Sequence, residues 1–194
     1  MRKLVYSTSL SLDGYIDAAG GDPSWVIPDE ELHRHFNEVE REIDTLLYGR
    51  RMYELMVAYW PTADEDPSAP TFIVDYARLW KPVLKIVFSS TLDTVEWNSR
   101  LVRDDPVAEV ARLKALAGRS IGVGGLALAS TLASAGLIDE YRFYYVPILL
   151  GSGKPAFSQI QDRVTLKPVE TRTFSSGTVL LRCVPAGQEP TRPV

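Results

Sequence analysis

The sequence predicts a single-domain α/β protein in which a mostly parallel sheet carries an antiparallel edge. Two observations carry this prediction. Apolar strand patterns alternate with helical patterns through most of the 194 residues, and the last two strand patterns flank a turn at Ser175-Ser176-Gly177. A chain of this length suits one domain, so we expect a domain over residues 1–184 and a polar, Pro-rich tail over residues 185–194.

The first half of the chain alternates strand and helix in a regular way. Residues 4–10 carry little charge, which suits a strand in the middle of a sheet, and turn residues follow them. Leu32, Phe36 and Val39 recur at helical spacing behind acidic residues that favour a helix start. The predicted elements are strand 4–10, loop 11–28, helix 29–44, strand 45–48, helix 50–59, loop 61–70 and helix 71–80.

The second half repeats this alternation and closes with two strands. Asp105-Pro106 is typical of a helix start, and Gly136 is typical of a left-handed helix end. The turn at residues 175–177 joins two strand patterns into a hairpin. The predicted elements are strand 83–89, helix 105–118, strand 121–123, helix 126–135, strand 141–147, and hairpin strands 165–174 and 178–184.

Composition argues against several classes of function. The net charge is −4 and no basic stripe occurs, which argues against nucleic acid as a partner. No apolar stretch approaches the ~20 residues of a membrane helix, and no signal peptide is visible, so we expect a cytoplasmic protein. The single cysteine, Cys183, is expected to be a buried strand thiol. His33-Arg34-His35 lacks a second ligand cluster, so we interpret it as a solvated helix face and expect no metal.

Candidate site residues follow the predicted strands, at the carboxyl ends where α/β sheets bind ligands. Those at the first three strand ends are Asp13 and Gly14, then Gly49, Arg50 and Arg51, and then Ser89 and Ser90. The aspartate can donate or relay a proton to a substrate, or it can form an ordinary Asp-Gly turn. The arginines begin a helix and suit a phosphate, or they are a solvated basic pair. The serines can bind a phosphate or start a turn.

A glycine-rich junction follows the predicted strand over residues 121–123. Gly124-Gly125 opens a helix at Leu126, where unpaired N–H groups and the helix dipole favour an anion. The junction is either a diphosphate cradle or a tight packing turn. With Gly122 it formally satisfies G-x-G-x-x-A, but its position late in the chain argues against a Rossmann motif. Residues 147–155 fail the spacing of a phosphate loop, and we interpret them as a flexible rim of the substrate pocket.

Five short motifs occur in a characteristic order over most of residues 4–157. They are Ser11-Leu12-Asp13-Gly14, Gly49-Arg50 with Tyr53-Glu54, Ser89-Ser90, Gly124-Gly125, and Pro147-x-x-x-Gly151-x-Gly153-x-Pro155. In this order they resemble the dihydrofolate reductase superfamily. The most similar branch is the reductase domain of the bifunctional riboflavin-biosynthesis deaminase-reductase, with the small stand-alone proteins like it.

The resemblance implies a dihydrofolate reductase-like three-layer α/β/α fold with about eight strands in the central sheet. It also implies an NADPH cofactor and a homodimer. In the family, the glycine pair and the helix after it hold the diphosphate, often through a cis peptide between the glycines. The two arginines and the two serines would meet the adenosine-side phosphates. Asp13 would be the polar group nearest the nicotinamide, and Met52 replaces a frequent threonine, so only backbone N–H contact can remain there.

The activity implied is hydride transfer to a small heterocycle or sugar derivative, similar to that of 5-amino-6-(5-phosphoribosylamino)uracil reductase. The candidate substrate residues are Trp25, Glu30, Met56, Trp60 and Tyr145. Glu30 loosely matches the acid that grips the pterin in dihydrofolate reductase, although it can simply favour the helix start. One cysteine cannot supply the zinc site of the deaminase half. Dihydrofolate reductase and a non-catalytic nucleotide-binding module are the alternatives.

Overall fold

The computed structural model describes residues 1–21, 24–158, 160 and 163–187. The strands are β1 (Leu4–Ser11), β2 (Tyr15–Ala18), β3 (Ile43–Gly49), β4 (Leu84–Phe88), β5 (Ser99–Val102), β6 (Ser120–Gly124), β7 (Glu140–Val146), β8 (Gly153–Pro155), β9 (Leu166–Thr173) and β10 (Val179–Pro185). The helices are α1 (Glu30–Arg41), α2 (Arg50–Tyr59), α3 (Thr71–Trp80), α4 (Pro106–Ala115) and α5 (Leu126–Ser134). A short 3-10 turn covers Ala19–Gly21.

Eight of these strands form one twisted sheet in the order β5-β4-β3-β6-β1-β7-β10-β9. The pairs from β5 to β7 are parallel, and β10 is antiparallel to both β7 and β9. The predicted mostly parallel sheet and C-terminal hairpin are therefore confirmed. The strands β2 and β8 form a separate two-stranded ribbon beside the sheet.

Helices cover both faces of the sheet and give three layers. On one face, α4 and α5 pack on side chains such as Leu47, Ile86 and Ile121, all fully buried. On the other face, α2 and α3 pack around Trp80, and α1 contributes Leu32 and Phe36. Cys183 is a buried free thiol, as predicted.

Several element boundaries differ from the sequence prediction. The first helix ends at Arg41 and β3 begins at Ile43, because Ile43 packs on the sheet at Gly122 rather than continuing the helical stripe. The strands β2, β5 and β8 were missed, since they are three or four residues long and mix polar with apolar residues. The expected tail begins inside β10, which reaches Pro185, and residues 188–194 lie outside the described range.

The carboxyl ends of β1, β3, β4 and β6 lie at one edge of the sheet, because these strands run parallel. This edge brings together segments far apart in sequence, and it is where the candidate site residues were expected. Within the described ranges, no helix is both long and apolar enough to cross a bilayer.

Candidate active site

A cavity of about 350 Å³ opens between the sheet and helices α1 and α2. Its floor is β1 and β6, where Ser7 is exposed although it lies on a central strand. Gly122 and Gly124 leave space above the floor of the cavity because neither has a side chain. A Cβ at Gly124 would lie 2.9 Å from Cε1 of Tyr48, so the glycine is required by its neighbours as well as by the cavity.

The walls are largely apolar and include several aromatic rings. Met56 and Trp60 line the cavity, as expected, and the Trp60 and Tyr76 rings lie 4.2 Å apart between centroids. The other apolar side chains of the lining are Val5, Pro28, Phe36, Val39, Ile43, Leu46, Tyr48, Met52, Val123 and Tyr144. Such a volume and lining suit a small ring compound.

Three expected pocket residues lie elsewhere. Glu30 is exposed at the start of α1 and pairs with Arg34 at 2.8 Å, so the acid of a folate-type grip is not in the cavity. Tyr145 packs against the core on the opposite face of the sheet, and its neighbour Tyr144 lines the cavity, because successive strand side chains alternate between faces. Trp25 does not reach the lining, and its buried Nε1 has no hydrogen-bond partner among the described residues.

Polar residues that were not predicted as site residues also lie in this lining, among them Ser7, Thr8 and Ser9 of β1 and two residues of α1. Glu40 and His33 both come from α1, on the helix face that carries Phe36. The expectation that His33 is solvated is wrong, since His33 is only 6% exposed. The spacing of seven residues between His33 and Glu40 was the available signal, because it places both on one face of the helix.

Burial raises the pKa of the Glu40 carboxyl to about 7. The Tyr76 hydroxyl, 3.5 Å from Oε1, and the more distant charges of Arg142 and Lys85 pull this pKa the other way. Burial likewise lowers the pKa of His33, which favours the neutral imidazole. The cavity therefore carries a carboxyl group that titrates near neutral pH and no strong cation.

Gly124 of the glycine pair lines this cavity, and Gly125 follows it in the chain. Gly125 has φ 94° and begins α5 without a side-chain cap, and Gly49 begins α2 in the same uncapped way. Met52 joins the two helix starts, because its Cβ lies 3.5 Å from a Cβ placed on Gly125. The expected cis peptide is absent: the bond from Gly124 to Gly125 is trans, and the positive φ of Gly125 makes the turn. Leu126, the first residue of α5, is buried.

Basic and hydroxyl side chains gather beside these helix starts. Arg50 donates from Nη1 to Thr91 Oγ1 at 3.0 Å and from Nε to Glu54 at 2.7 Å. Ser89 Oγ accepts the backbone N–H of Thr91 at 3.2 Å, and Thr91 also accepts the hydrogen bond of Arg50, so the segment after β4 contacts the start of α2. Ser90 is exposed beside them. Arg51 faces a second hollow of about 510 Å³, which it lines with Lys154 among others.

Asp13 joins two loops rather than standing free. Its carboxylate accepts the Ser11 hydroxyl at 2.7 Å and the backbone N–H groups of Leu150 at 3.1 Å and Gly151 at 2.7 Å. These hydrogen bonds, that of Ser11 first, lower the pKa of Asp13. A carboxylate that stays ionised and holds backbone donors is a poor proton donor, so its contacts favour a positioning role.

The segment expected to be a flexible rim is tied to the same loop. Leu12 donates its N–H to Ile148, and Ala156 donates to the carbonyl of Gly14, both at 2.9 Å. Further along, β8 pairs with β2, and Gly153 lies so close that an added Cβ would be 2.0 Å from the Asp17 carbonyl oxygen. The rim is therefore a paired ribbon, and Asp13 fastens one end of it. No cluster of metal-ligating side chains occurs in the part of the chain that the structure describes.

Comparisons with known proteins agree with this architecture. The chain is 37% identical over 182 residues to the protein YyaP of Bacillus subtilis (strain 168), covering 92% of each chain. Among solved structures, a Shewanella sp. PV-4 protein assigned to riboflavin biosynthesis superposes with TM-score 0.75 at 21% identity, over 94% of this chain and 98% of that one.

Dihydrofolate reductase from Enterococcus faecalis, complexed with NADP(H), superposes with TM-score 0.62 at 18% identity, over 95% of this chain and 96% of that one. The dihydrofolate reductase-like fold expected from the motifs is thereby confirmed. The family model described as the RibD C-terminal domain matches residues 2–180. This match covers nearly the whole chain, so the protein belongs to the RibD C-terminal domain family.

Proposed function

We propose that this protein is an NADPH-dependent reductase that transfers hydride to a C=N or C=O carbon of a small ring compound in the cavity. One observation carries the proposal. Gly124 lies on the cavity floor, and Gly125 after it opens the uncapped start of α5. A dinucleotide whose diphosphate meets that helix start can therefore extend its reactive ring toward the cavity.

The residues present fit such a cofactor. The starts of α2 and α5 lie side by side without capping side chains, and their dipoles both favour an anion. Arg50, Arg51 and Ser89 supply a positive charge or a hydroxyl next to them. When bound, the dihydronicotinamide would supply the hydride, while the protein orients it and excludes water. The Enterococcus relative complexed with NADP(H) supports this choice of cofactor.

The reaction class rests on the family. Membership of the RibD C-terminal domain family and the Shewanella structure assigned to riboflavin biosynthesis support a reductase similar to 5-amino-6-(5-phosphoribosylamino)uracil reductase. The dihydrofolate alternative drew on Glu30, which lies outside the cavity. An assay of turnover distinguishes an enzyme from a non-catalytic nucleotide-binding module. NADPH and 5-amino-6-(5-phosphoribosylamino)uracil, or NADPH and dihydrofolate, are mixed with the protein, and loss of dihydronicotinamide absorbance is followed.

Nucleotide binding tests the proposal directly. Calorimetry with NADPH and NADH compares the wild type with Arg50→Ala, and Arg34→Ala is the control because Arg34 is an exposed arginine of α1. We expect Arg50→Ala to weaken NADPH about tenfold and NADH less, because a guanidinium–phosphate contact contributes roughly 1–3 kcal/mol. Arg34→Ala should change neither affinity. If the wild type binds neither nucleotide, the proposed function is wrong.

A further inference from the structure

The second hollow, beside the ribbon of β2 and β8, is separate from the cavity described above. Its volume is about 510 Å³, and it shares no described lining residue with the cavity. Three charged side chains line it, which are Asp17 of β2, Arg51 of α2 and Lys154 of β8. The hollow therefore collects charges from three elements that lie far apart in the sequence.

These three charges do not neutralise one another. Asp17 and Lys154 pair across the ribbon, and residues directly opposite in antiparallel strands point to the same face. Even so, neither they nor Arg51 forms an ion pair or a side-chain hydrogen bond with any described residue. The neighbouring Arg50, by contrast, donates to Glu54 and Thr91. Two cations and one acid thus remain available to a ligand, and their sum favours a negative one.

The backbone around the hollow supports the same conclusion. The helix α2 begins without a side-chain cap, so its first N–H groups and its dipole favour an anion beside Arg51. Another part of the lining is Gly20 and Gly21, where an added Cβ would meet nothing within 4 Å. A ligand can therefore approach this turn as closely as the bare backbone allows.

The chemistry of the three side chains narrows the class of ligand. A guanidinium group and an ammonium group both bind phosphate. The carboxylate of Asp17 would repel a bare phosphate, but it accepts hydrogen bonds from hydroxyl groups. A phosphate attached to a sugar suits all three side chains. The described lining contains no aromatic side chain on which a base could stack.

We propose that this hollow is a sugar-phosphate site, in which Arg51 and Lys154 bind the phosphate and Asp17 accepts a sugar hydroxyl. The inference goes beyond the proposed function, because it assigns a site outside the cavity that does not depend on hydride transfer. It also gives the ribbon a part in binding, since the pairing of β2 with β8 brings Asp17 and Lys154 together. The sugar phosphate belongs either to a nucleotide or to another phosphorylated compound.

Backbone NMR titrations with ribose 5-phosphate, inorganic phosphate and ribose test the proposal. Dissociation constants are measured at constant ionic strength for the wild type, Arg51→Gln, Lys154→Gln and Asp17→Ala. Lys167→Gln is the matched control, because Lys167 is an exposed lysine of strand β9 that lines neither the hollow nor the cavity. Urea unfolding of each variant shows whether a loss of binding reflects the site or the fold.

We expect ribose 5-phosphate to bind more tightly than inorganic phosphate, and ribose to bind more weakly than either. Arg51→Gln and Lys154→Gln should each weaken ribose 5-phosphate at least about fivefold, because each removes a charge-assisted hydrogen bond, whereas Lys167→Gln should change nothing. Asp17→Ala should strengthen inorganic phosphate and abolish the preference for ribose 5-phosphate. An unchanged affinity for ribose 5-phosphate in Lys154→Gln, or no binding by the wild type, would overturn the proposal.

Saturating NADPH distinguishes the two sources of the sugar phosphate. Displacement of ribose 5-phosphate by NADPH would assign the site to the nucleotide, and simultaneous binding would assign it to another phosphorylated compound. The two proposals also fail separately. NADPH binding without ribose 5-phosphate binding would remove this site and leave the reductase. Ribose 5-phosphate binding that depends on Arg51 and Lys154, without NADPH binding, would keep the site and remove the proposed function.

Discussion

Replacing Glu40 by glutamine should stabilise the protein, and only above mildly acidic pH. In the folded protein the pKa of Glu40 rises from 4.5 to about 7 because its carboxyl is surrounded by protein. Keeping that group ionised then costs up to about 3.4 kcal/mol, at about 1.36 kcal/mol for each pKa unit. Water in the open cavity reduces this cost, so we expect Glu40→Gln to gain about 2 kcal/mol at pH 8.

The sign of the pH dependence follows from the direction of the shift. Between pH 4.5 and 7 the native protein holds a proton on Glu40 that the unfolded chain has lost, so wild-type stability falls as pH rises. Below pH 4 both states are protonated, and the advantage of Glu40→Gln disappears. Urea unfolding at pH 4 and pH 8 measures this difference, with Glu38→Gln as control. An equal gain at both pH values would refute an ionisation effect.

Four further substitutions test the packing and the hydrogen bonds of the site. Gly153→Ala should cost more than about 3 kcal/mol in urea unfolding, because φ is 151° and the new Cβ would lie 2.0 Å from the Asp17 carbonyl oxygen. Gly124→Ala should cost about 1–3 kcal/mol through overpacking, whereas Gly49→Ala, where an added Cβ meets nothing within 4 Å, should have little effect on stability. Asp13→Asn should speed hydrogen exchange at the amides of residues 150 and 151, an effect that acid should reproduce in the wild type as Asp13 becomes protonated. Unchanged exchange in Asp13→Asn would contradict the role of Asp13 in holding the two loops together.

The parallel sheet was predictable because its strands are near-continuous apolar runs joined by helical patterns, and α1 and α4 begin with a capping aspartate. Asp105 illustrates this, since its side chain accepts the N–H of Val107 as expected of a helix start before proline. The edge strand β5 was not predictable, because Ser99 and Arg100 break its apolar pattern and only pairing with β4 makes it a strand. The ribbon of β2 and β8 depends likewise on contacts between distant segments.

Strand-end reasoning named candidate residues that lie close together in the structure. Arg50 and Ser89 both meet Thr91, and Gly124 lies at the cavity, as strand-end reasoning required. The place of Glu40 in the cavity and the orientation of α1 were not predictable from the sequence. An acid on an apolar helix stripe forms no motif, and the residues that surround it come from other elements. The homodimer rests on the resemblance alone and stays a prediction, which size-exclusion chromatography against 21.6 kDa for one chain would test.

The hydrogen bonds from Leu150 and Gly151 to Asp13, here called the Asp13 clamp, also constrain the order in which the protein can fold. Its two backbone partners lie 137 and 138 residues further along the chain, so the clamp closes a very long loop. Contacts of such sequence separation carry a large entropic cost and form slowly. During synthesis, residues 11–14 must wait for the segment after β7 before their loop acquires its final shape. The strands β3 and β4 lie closer together in the chain and can pair earlier, whereas β1 waits for β6 and β7, and the loop after it waits for residues 150 and 151.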